Sequence, residues 1–333
     1  MPAPPILLSG FADEASASKR LEEQLAAMAA LGLRRCTLRF VDVGSGVKNV
    51  MELSAREVSA VVKALGDFGL QVATLGSPIG KVKLRDVDDG TNNRYVPFQK
   101  YLKSDVAKAC DLASALGTRL VRGFSFYHPK GTAPEEHLDA VVEQLGQIAE
   151  ACAAQDLVFG LEVEANLVGQ TGHLLRQIHR KVGHPALVLI YDVGNLLTQG
   201  YSPDETFTEY EAMKPGLGWI HIKDYRPLKT DSRGGHIDEE ALSDYRPVGR
   251  GSGVYERVLR DVAEDGAGLL RRSKKIGLPG VLLDLEPHVR GGGQFGGFSG
   301  PDGMGVALRS LCDLLGYLGL GHDIKTADDL LKT

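Results

Sequence analysis

The stretch Val281-Leu282-Leu283-Asp284-Leu285-Glu286-Pro287-His288 reads as a short buried strand that carries two carboxylates and stops at a proline. A buried carboxylate without a partner costs several kcal/mol. The end of this strand must therefore meet a cation, a metal ion or a proton.

Outward from it, short β-like runs alternate with longer segments of 3.6-residue periodicity, the signature of βα units around a parallel sheet. Strands are expected at Ile6–Leu8, Cys36–Phe40, Gln71–Leu75, Arg119–Val121, Val158–Val163, Ala186–Tyr191, Trp219–Lys223 and Gly280–Leu285. Between them, Leu21, Leu25 and Met28 share one helical face, and Ser54-Ala55-Arg56-Glu57 resembles a capping box opening a helix that ends at Phe68. Gly76-Ser77-Pro78-Ile79-Gly80-Lys81 reads as a turn before a long helix at about 92–116. Further helices are expected at Pro134–Gln155, Thr171–Val182, Asp204–Met213 and about 254–265, with a last one at about 304–318. Eight such pairs predict an α/β fold, a single (β/α)8 TIM barrel over residues 1–333. A long excursion at about 225–253 follows strand seven, and a Gly-rich loop at 291–300 follows strand eight. An open doubly wound sheet is the rival, but no Gly-x-Gly-x-x-Gly follows the first strand.

The chain has 333 residues, 43% hydrophobic and 24% charged, enough for a sizeable core. A formal charge of −5 offers no general attraction to nucleic acid or anionic lipid, so neither is expected as a partner. MPAPPILLSGFADEAS lacks the basic start and long apolar run of a signal peptide, and no stretch reaches the length of a membrane span, so a cytoplasmic protein is expected. Cys36, Cys110, Cys152 and Cys312 show no CxxC spacing and read as reduced thiols.

In such a barrel the carboxyl ends of the strands form the active-site rim. Strand five ends with Glu162 and Glu164, strand six with Asp192, strand seven with His221, Lys223 and Asp224, strand eight with Glu286. Asp284 has the parity of Glu286 one layer deeper, where it would orient a ligand or pair with a basic residue. Any one of these acids is more simply a helix cap or a solvated side chain. Four successive strand ends carrying ligand types is a pattern that capping does not predict. Carboxylates and an imidazole without thiolate suit one divalent ion, Mn, Mg, Co or Zn.

Leu161-Glu162-Val163-Glu164, Tyr191-Asp192-Val193-Gly194-Asn195, His221-Ile222-Lys223-Asp224 and Leu285-Glu286-Pro287-His288 resemble, in order and spacing, the motifs of the xylose-isomerase-like TIM barrels. That superfamily includes sugar and sugar-phosphate isomerases and epimerases and, more distantly, endonuclease IV. Residues 76–81 and 295–300 are also similar to segments of an isomerase/epimerase-like branch. The resemblance implies metal ligation by Glu162, Asp192, His221 and Glu286. It also implies isomerisation or epimerisation of a small sugar, keto-sugar or sugar phosphate through an enediolate, with Glu162 and Glu286 as acid and base. Many relatives have a substrate-binding His where this chain has Asn195, which can hold a hydroxyl but cannot change protonation. The multi-zinc endonuclease reading weakens too, since strands two to four supply no extra His.

Lys223, Asn195 and Arg122 are expected to bind substrate, with an ion pair to Asp192 or Glu286 as the alternative for Lys223. Arg39, inside strand two, would bind hydroxyl or phosphate groups or serve as a buried ion-pair partner. His288 and His128 read as solvated loop residues, and Trp219 and Phe295 as the groups that dry the cavity. The Gly-rich loop reads as a lid or interface arm, with phosphate binding as the alternative. Rival functions are a metal-dependent lyase or hydrolase acting on a keto-sugar or glycoside, and a non-catalytic sugar-binding barrel. The partner expected is a small carbohydrate, and exposed helices leave room for a homodimer or tetramer.

Overall fold

The computed structural model describes residues 3–226, 244–289 and 300–331. Eight parallel strands form its sheet: β1 (Ile6–Gly10), β2 (Arg35–Leu38), β3 (Gln71–Ile79), β4 (Leu120–Gly123), β5 (Val158–Glu162), β6 (Leu187–Asp192), β7 (Leu217–Ile222) and β8 (Val281–Leu285). Strands β2 to β8 are hydrogen-bonded in chain order, and β8 pairs β1 in register from Ile6–Val281 to Gly10–Leu285. The seam between β1 and β2 is held by a parallel bridge between Phe11 and Thr37. This is the nearly closed (β/α)8 TIM barrel that the alternation of strand and helix patterns predicts.

Several boundaries move. Strand β3 runs on through the expected turn to Ile79, which pairs Gly123 across an irregularity in register. Gly76 permits this, because a Cβ there would stand 2.9 Å from the Leu38 carbonyl oxygen. Strand β4 shifts forward and takes in Arg122. Strand β2 stops at Leu38, and Phe40–Asp42 instead folds back on Val47–Asn49 as an antiparallel hairpin around Gly44-Ser45-Gly46. The helix expected at about 92–116 begins at Phe98, after Pro97, and contains a π turn over Leu102–Val106. Ser54 does cap its helix, Ala55–Asp67, with Glu57 completing the box. Short helices not foreseen in the pattern occupy Val193–Leu197, Gly266–Lys275 and Ala327–Leu331.

The barrel interior is filled from several strands at once. Leu7, Ala73, Leu120, Val158, Ile190 and Leu282 pack with Trp219 as one apolar layer. The indole fits only because Gly160 on β5 has no side chain, since a Cβ there would overlap the ring. Outside, amphipathic helices such as Leu138–Ala153, with Val141, Leu145, Ile148 and Cys152 buried, cover the strands. Among the described residues no helix is long and apolar enough to cross a membrane. Residues 227–243 of the excursion after β7 and residues 291–299 of the Gly-rich loop lie outside the described residues; Gly300 opens the final helix, Gly300–Tyr317.

Candidate functional site

Strand alternation and register bring four side chains to the carboxyl rim. Asp192 on β6 is the register partner of His221 on β7, and His221 is in turn the partner of Asp284 on β8. Glu286, two residues beyond Asp284, therefore stands one pleat above the His221 level. Glu162 ends β5, and its ligand oxygen lies with an atom each of Asp192, His221 and Glu286 in a group whose members are all within 4.8 Å of one another. All four residues are buried, Asp192 and His221 completely. His221 Nδ1 lies 3.3 Å from Glu162 Oε1 and 3.6 Å from both Asp192 Oδ2 and Glu286 Oε2.

The acids are held in a web of cations. Arg122 Nη1 lies 3.2 Å from Glu162 and 3.9 Å from Glu286. The Lys223 ammonium sits 3.0 Å from Asp192 and 3.3 Å from Glu286. Arg39 pairs with Asp13 at 2.9 Å, with Glu14 at 3.1 Å and with Glu286. His288 Nδ1 is 2.6 Å from Glu14 Oε1, and its Nε2 is 3.7 Å from Glu286.

These neighbours dominate the electrostatics. Burial alone would push the Glu162 carboxyl up, but His221 and Arg122 outweigh it and hold it at about 2. Glu286 is likewise driven well below the usual range, against its burial, by Lys223, Arg39, His288 and Arg122. Burial would lower His221, yet Glu162, Asp192 and Glu286 raise it to about 10.

An N/O donor set of this kind suits a hard or borderline divalent ion. Asp192 Oδ2 faces the same group: it is buried, lies 3.6 Å from His221 Nδ1 and 3.0 Å from the Lys223 ammonium, and makes no aligned hydrogen bond among the described residues. Charge leans the same way: the carboxylates of Asp13, Glu14, Glu162, Asp192 and Glu286 outnumber the lysine and arginine cations paired with them, Lys19, Arg39, Arg122 and Lys223, by five to four. Trp219 Nε1 lies 3.3 Å from His221 Nε2 and donates to it when that nitrogen carries no proton. An ion taken by Nδ1 would leave the ring proton on Nε2 and cancel that bond.

Other expected residues take different places. Asn195 gives its amide to Glu162 Oε1 (3.1 Å) and to the Val163 carbonyl (3.0 Å), so it orients the carboxylate. Glu164 turns to the rim and pairs Lys81 at 2.9 Å. Asp224 leaves the cluster and accepts backbone N–H groups from Tyr225, Gly249, Gly251 and Gly253, which ties down the end of the excursion. Among the described residues Asp284 forms no ion pair: the Thr37 hydroxyl donates to it at 2.6 Å, and burial raises its carboxyl. His288 is not solvated but buried against Glu14 and the Tyr245 ring, with a strained φ of 46°. His128 is half-buried and stacks on His137. Trp219 lies in the barrel interior beneath the site, and Phe295 is outside the described residues.

The sequence reading missed Asp13 and Glu14, on a single 3-10 turn after β1, both fully buried. Their signal was present: β1 runs to Gly10, so the acids of FADE follow a strand end as Glu286 does. Placing the end of β1 at Leu8 hid it.

A profile of the xylose isomerase-like TIM barrel family matches residues 25–270. Among curated proteins no sequence matches the chain. Similar solved structures include a xylose isomerase-like TIM barrel protein from Mycobacterium smegmatis in complex with magnesium, at 18% identity and a TM-score of 0.61 over 95% of this chain and 96% of that one. D-allulose 3-epimerase from Methylomonas sp., in complex with D-allulose, aligns at 15% identity and a TM-score of 0.59 over 94% and 98%. An IolI protein with a bound zinc atom aligns at 14% identity and a TM-score of 0.63 over 94% and 99%. At these identities the likeness concerns the fold.

Proposed function

The chain belongs to the xylose isomerase-like TIM barrel family, and from that premise we propose that it is a divalent-metal-dependent isomerase or epimerase of a small sugar, keto-sugar or sugar phosphate. The observation that carries this reading is the pair of ionised carboxylates, Glu162 and Glu286, brought from strands three apart to one centre with Asp192 and His221. An ion held by these four residues would supply Lewis-acid stabilisation for negative charge growing on the substrate's oxygens.

The remaining chemistry belongs to the side chains. Glu162 and Glu286 take a proton from the carbon beside the carbonyl and return it, on the neighbouring carbon or on the other face. A carboxylate held at about 2 is a weak base, so its basicity must rise when substrate enters. Arg122 contributes to this: swung from Glu162 to a substrate oxygen, it stabilises the enediolate and removes one of the cations that, with His221, depress the carboxylate. Lys223 has the same choice between Asp192, Glu286 and a substrate oxygen. Asn195 keeps Glu162 aimed throughout.

The test is proton NMR in D2O, with Mn2+ or Mg2+ and a panel of keto-sugars and their phosphates. Deuterium should enter beside the carbonyl, and Glu162→Gln or Glu286→Gln should abolish it while the fold persists. A metal-loaded protein that exchanges no proton on any member would refute the proposal. A product that has lost a leaving group would assign the same pair to elimination.

A further inference from the structure

At the opposite end of the barrel, where β6 and β7 begin at Leu187 and Leu217, a cleft of about 320 Å3 opens between the outer helices. Its size is at the small end of ligand pockets, which run from roughly 300 to 1,000 Å3. Its charge is one-sided. Arg176, Arg180, Arg272 and Lys275 line it with His179 and His184, and no Asp or Glu does among the described residues. The floor is apolar, formed by Leu187, Val188, Leu217 and Ile276.

Basic residues near helix ends are ordinarily explained by the helix dipole. Here that explanation falls short. Of the described helices of eight residues or more, only Gly172–Val182 and Gly266–Lys275 carry basic residues in their last turn, and both of those turns face this one cleft. Like charges gathered round a concave apolar surface repel one another unless an anion lies between them. The local acids do not fill that role: Asp265 reaches Arg272 at 3.2 Å and also lies 3.7 Å from Lys214, while the Arg272 Nε is buried with no partner among the described residues. Arg176 Nη1 is 3.2 Å from His179 Nδ1, which fixes the imidazole on the wall of the cleft. The close approach of that ring to the turn before β7 depends on Gly216, where a Cβ would stand 2.9 Å from His179 Nε2.

We infer that this cleft binds a phosphate monoester with a compact apolar or aromatic body, the body on the Leu187–Ile276 floor and the phosphate among the four cations. A dianion matches that cation set better than a single carboxylate, and guanidinium groups suit phosphate oxygens. The site is remote from Glu162 and His221, so occupancy acts on the enzyme as an effector or a second ligand and not as substrate.

The test uses the full-length protein at physiological salt and isothermal titration with three probes: 1-naphthyl phosphate, inorganic phosphate and 1-naphthol. Saturable binding of naphthyl phosphate is expected, at least about tenfold tighter than either fragment, since each contributes only one half of the recognition. The Arg180→Ala/Lys275→Ala variant, altered at two exposed side chains, should weaken it about tenfold or more while far-UV dichroism stays unchanged. Glu162→Gln, at the other end of the barrel, should leave it intact, which separates this site from the proposed catalytic one. The inference is overturned if no saturable binding occurs, if the double variant binds as the parent does, or if Glu162→Gln abolishes the signal.

Discussion

Arg39 offers the sharpest test of the charge accounting. Its side chain is 8% exposed and pairs with Asp13 and Glu14, both fully buried, and with Glu286. Arg39→Met keeps most of the volume and the stacking over Phe11 but leaves these carboxylates short of one cation. Removing one partner from a buried ion pair typically costs about 3–5 kcal/mol, because the other charge stays buried and uncompensated. Burial raises Asp13, against the pull of Arg39, so in the variant Asp13 is the group that takes up a proton. The loss should therefore be smaller at pH 5 than at pH 8. Urea unfolding of chelator-treated protein, followed by far-UV dichroism, reads it directly. Adding Glu14→Gln to the variant should recover part of the loss, a coupling that only neighbours show. With one positive charge fewer, Mn2+ should bind the variant more tightly than the parent. A loss below about 1 kcal/mol, the scale of a surface pair, would show that Arg39 is not the compensating charge and would refute the accounting.

Trp219 is the single tryptophan and touches His221, so its fluorescence should change on adding Mn2+ or Zn2+ and stay constant in His221→Ala. In the metal-free protein His221 is raised to about 10, above an unfolded value near 6.5. Its stabilising contribution is complete below pH 6.5 and should disappear as pH rises through 10, while the opposed, depressed Glu162 contribution should disappear as pH falls from about 4.3 toward 2; thermal melts across pH that show neither slope would contradict both. Asn195→Ala should lower kcat tenfold or more and weaken Mn2+ binding far less than His221→Ala does, since it loosens Glu162 without removing a ligand; an unchanged kcat would show that the amide does not aim Glu162. Gly160→Ala drives a methyl into the Trp219 ring and should destabilise by about 1–3 kcal/mol in urea unfolding, and a neutral effect would mean that the indole is not fixed there.

The barrel was legible because strand and helix periodicities alternate eight times, and because most of the strands are short, apolar and bounded nearby by Gly or Pro. Glu162, Asp192, His221 and Glu286 stood out for a related reason: a polar ligand type at the end of an apolar strand is a local anomaly, visible without knowing its neighbours. The partners of those residues are another matter. Arg39 and Glu286 are separated by 247 residues, and His288 and Glu14 by 274, yet they meet because β8 closes on β1. In sequence Glu14 is an acid near an amino terminus and His288 a loop histidine. Strand alternation does place Lys223 on the side of His221, where its ion pair with the acids was one of the two expectations, but spacing could not tell that Asp224 would meet the Gly249–Gly253 backbone. Periodicity is a property of the chain and is written into it residue by residue. Which buried charge answers which depends on barrel closure, where a few kcal/mol per ion pair are decided by distances that no local pattern encodes.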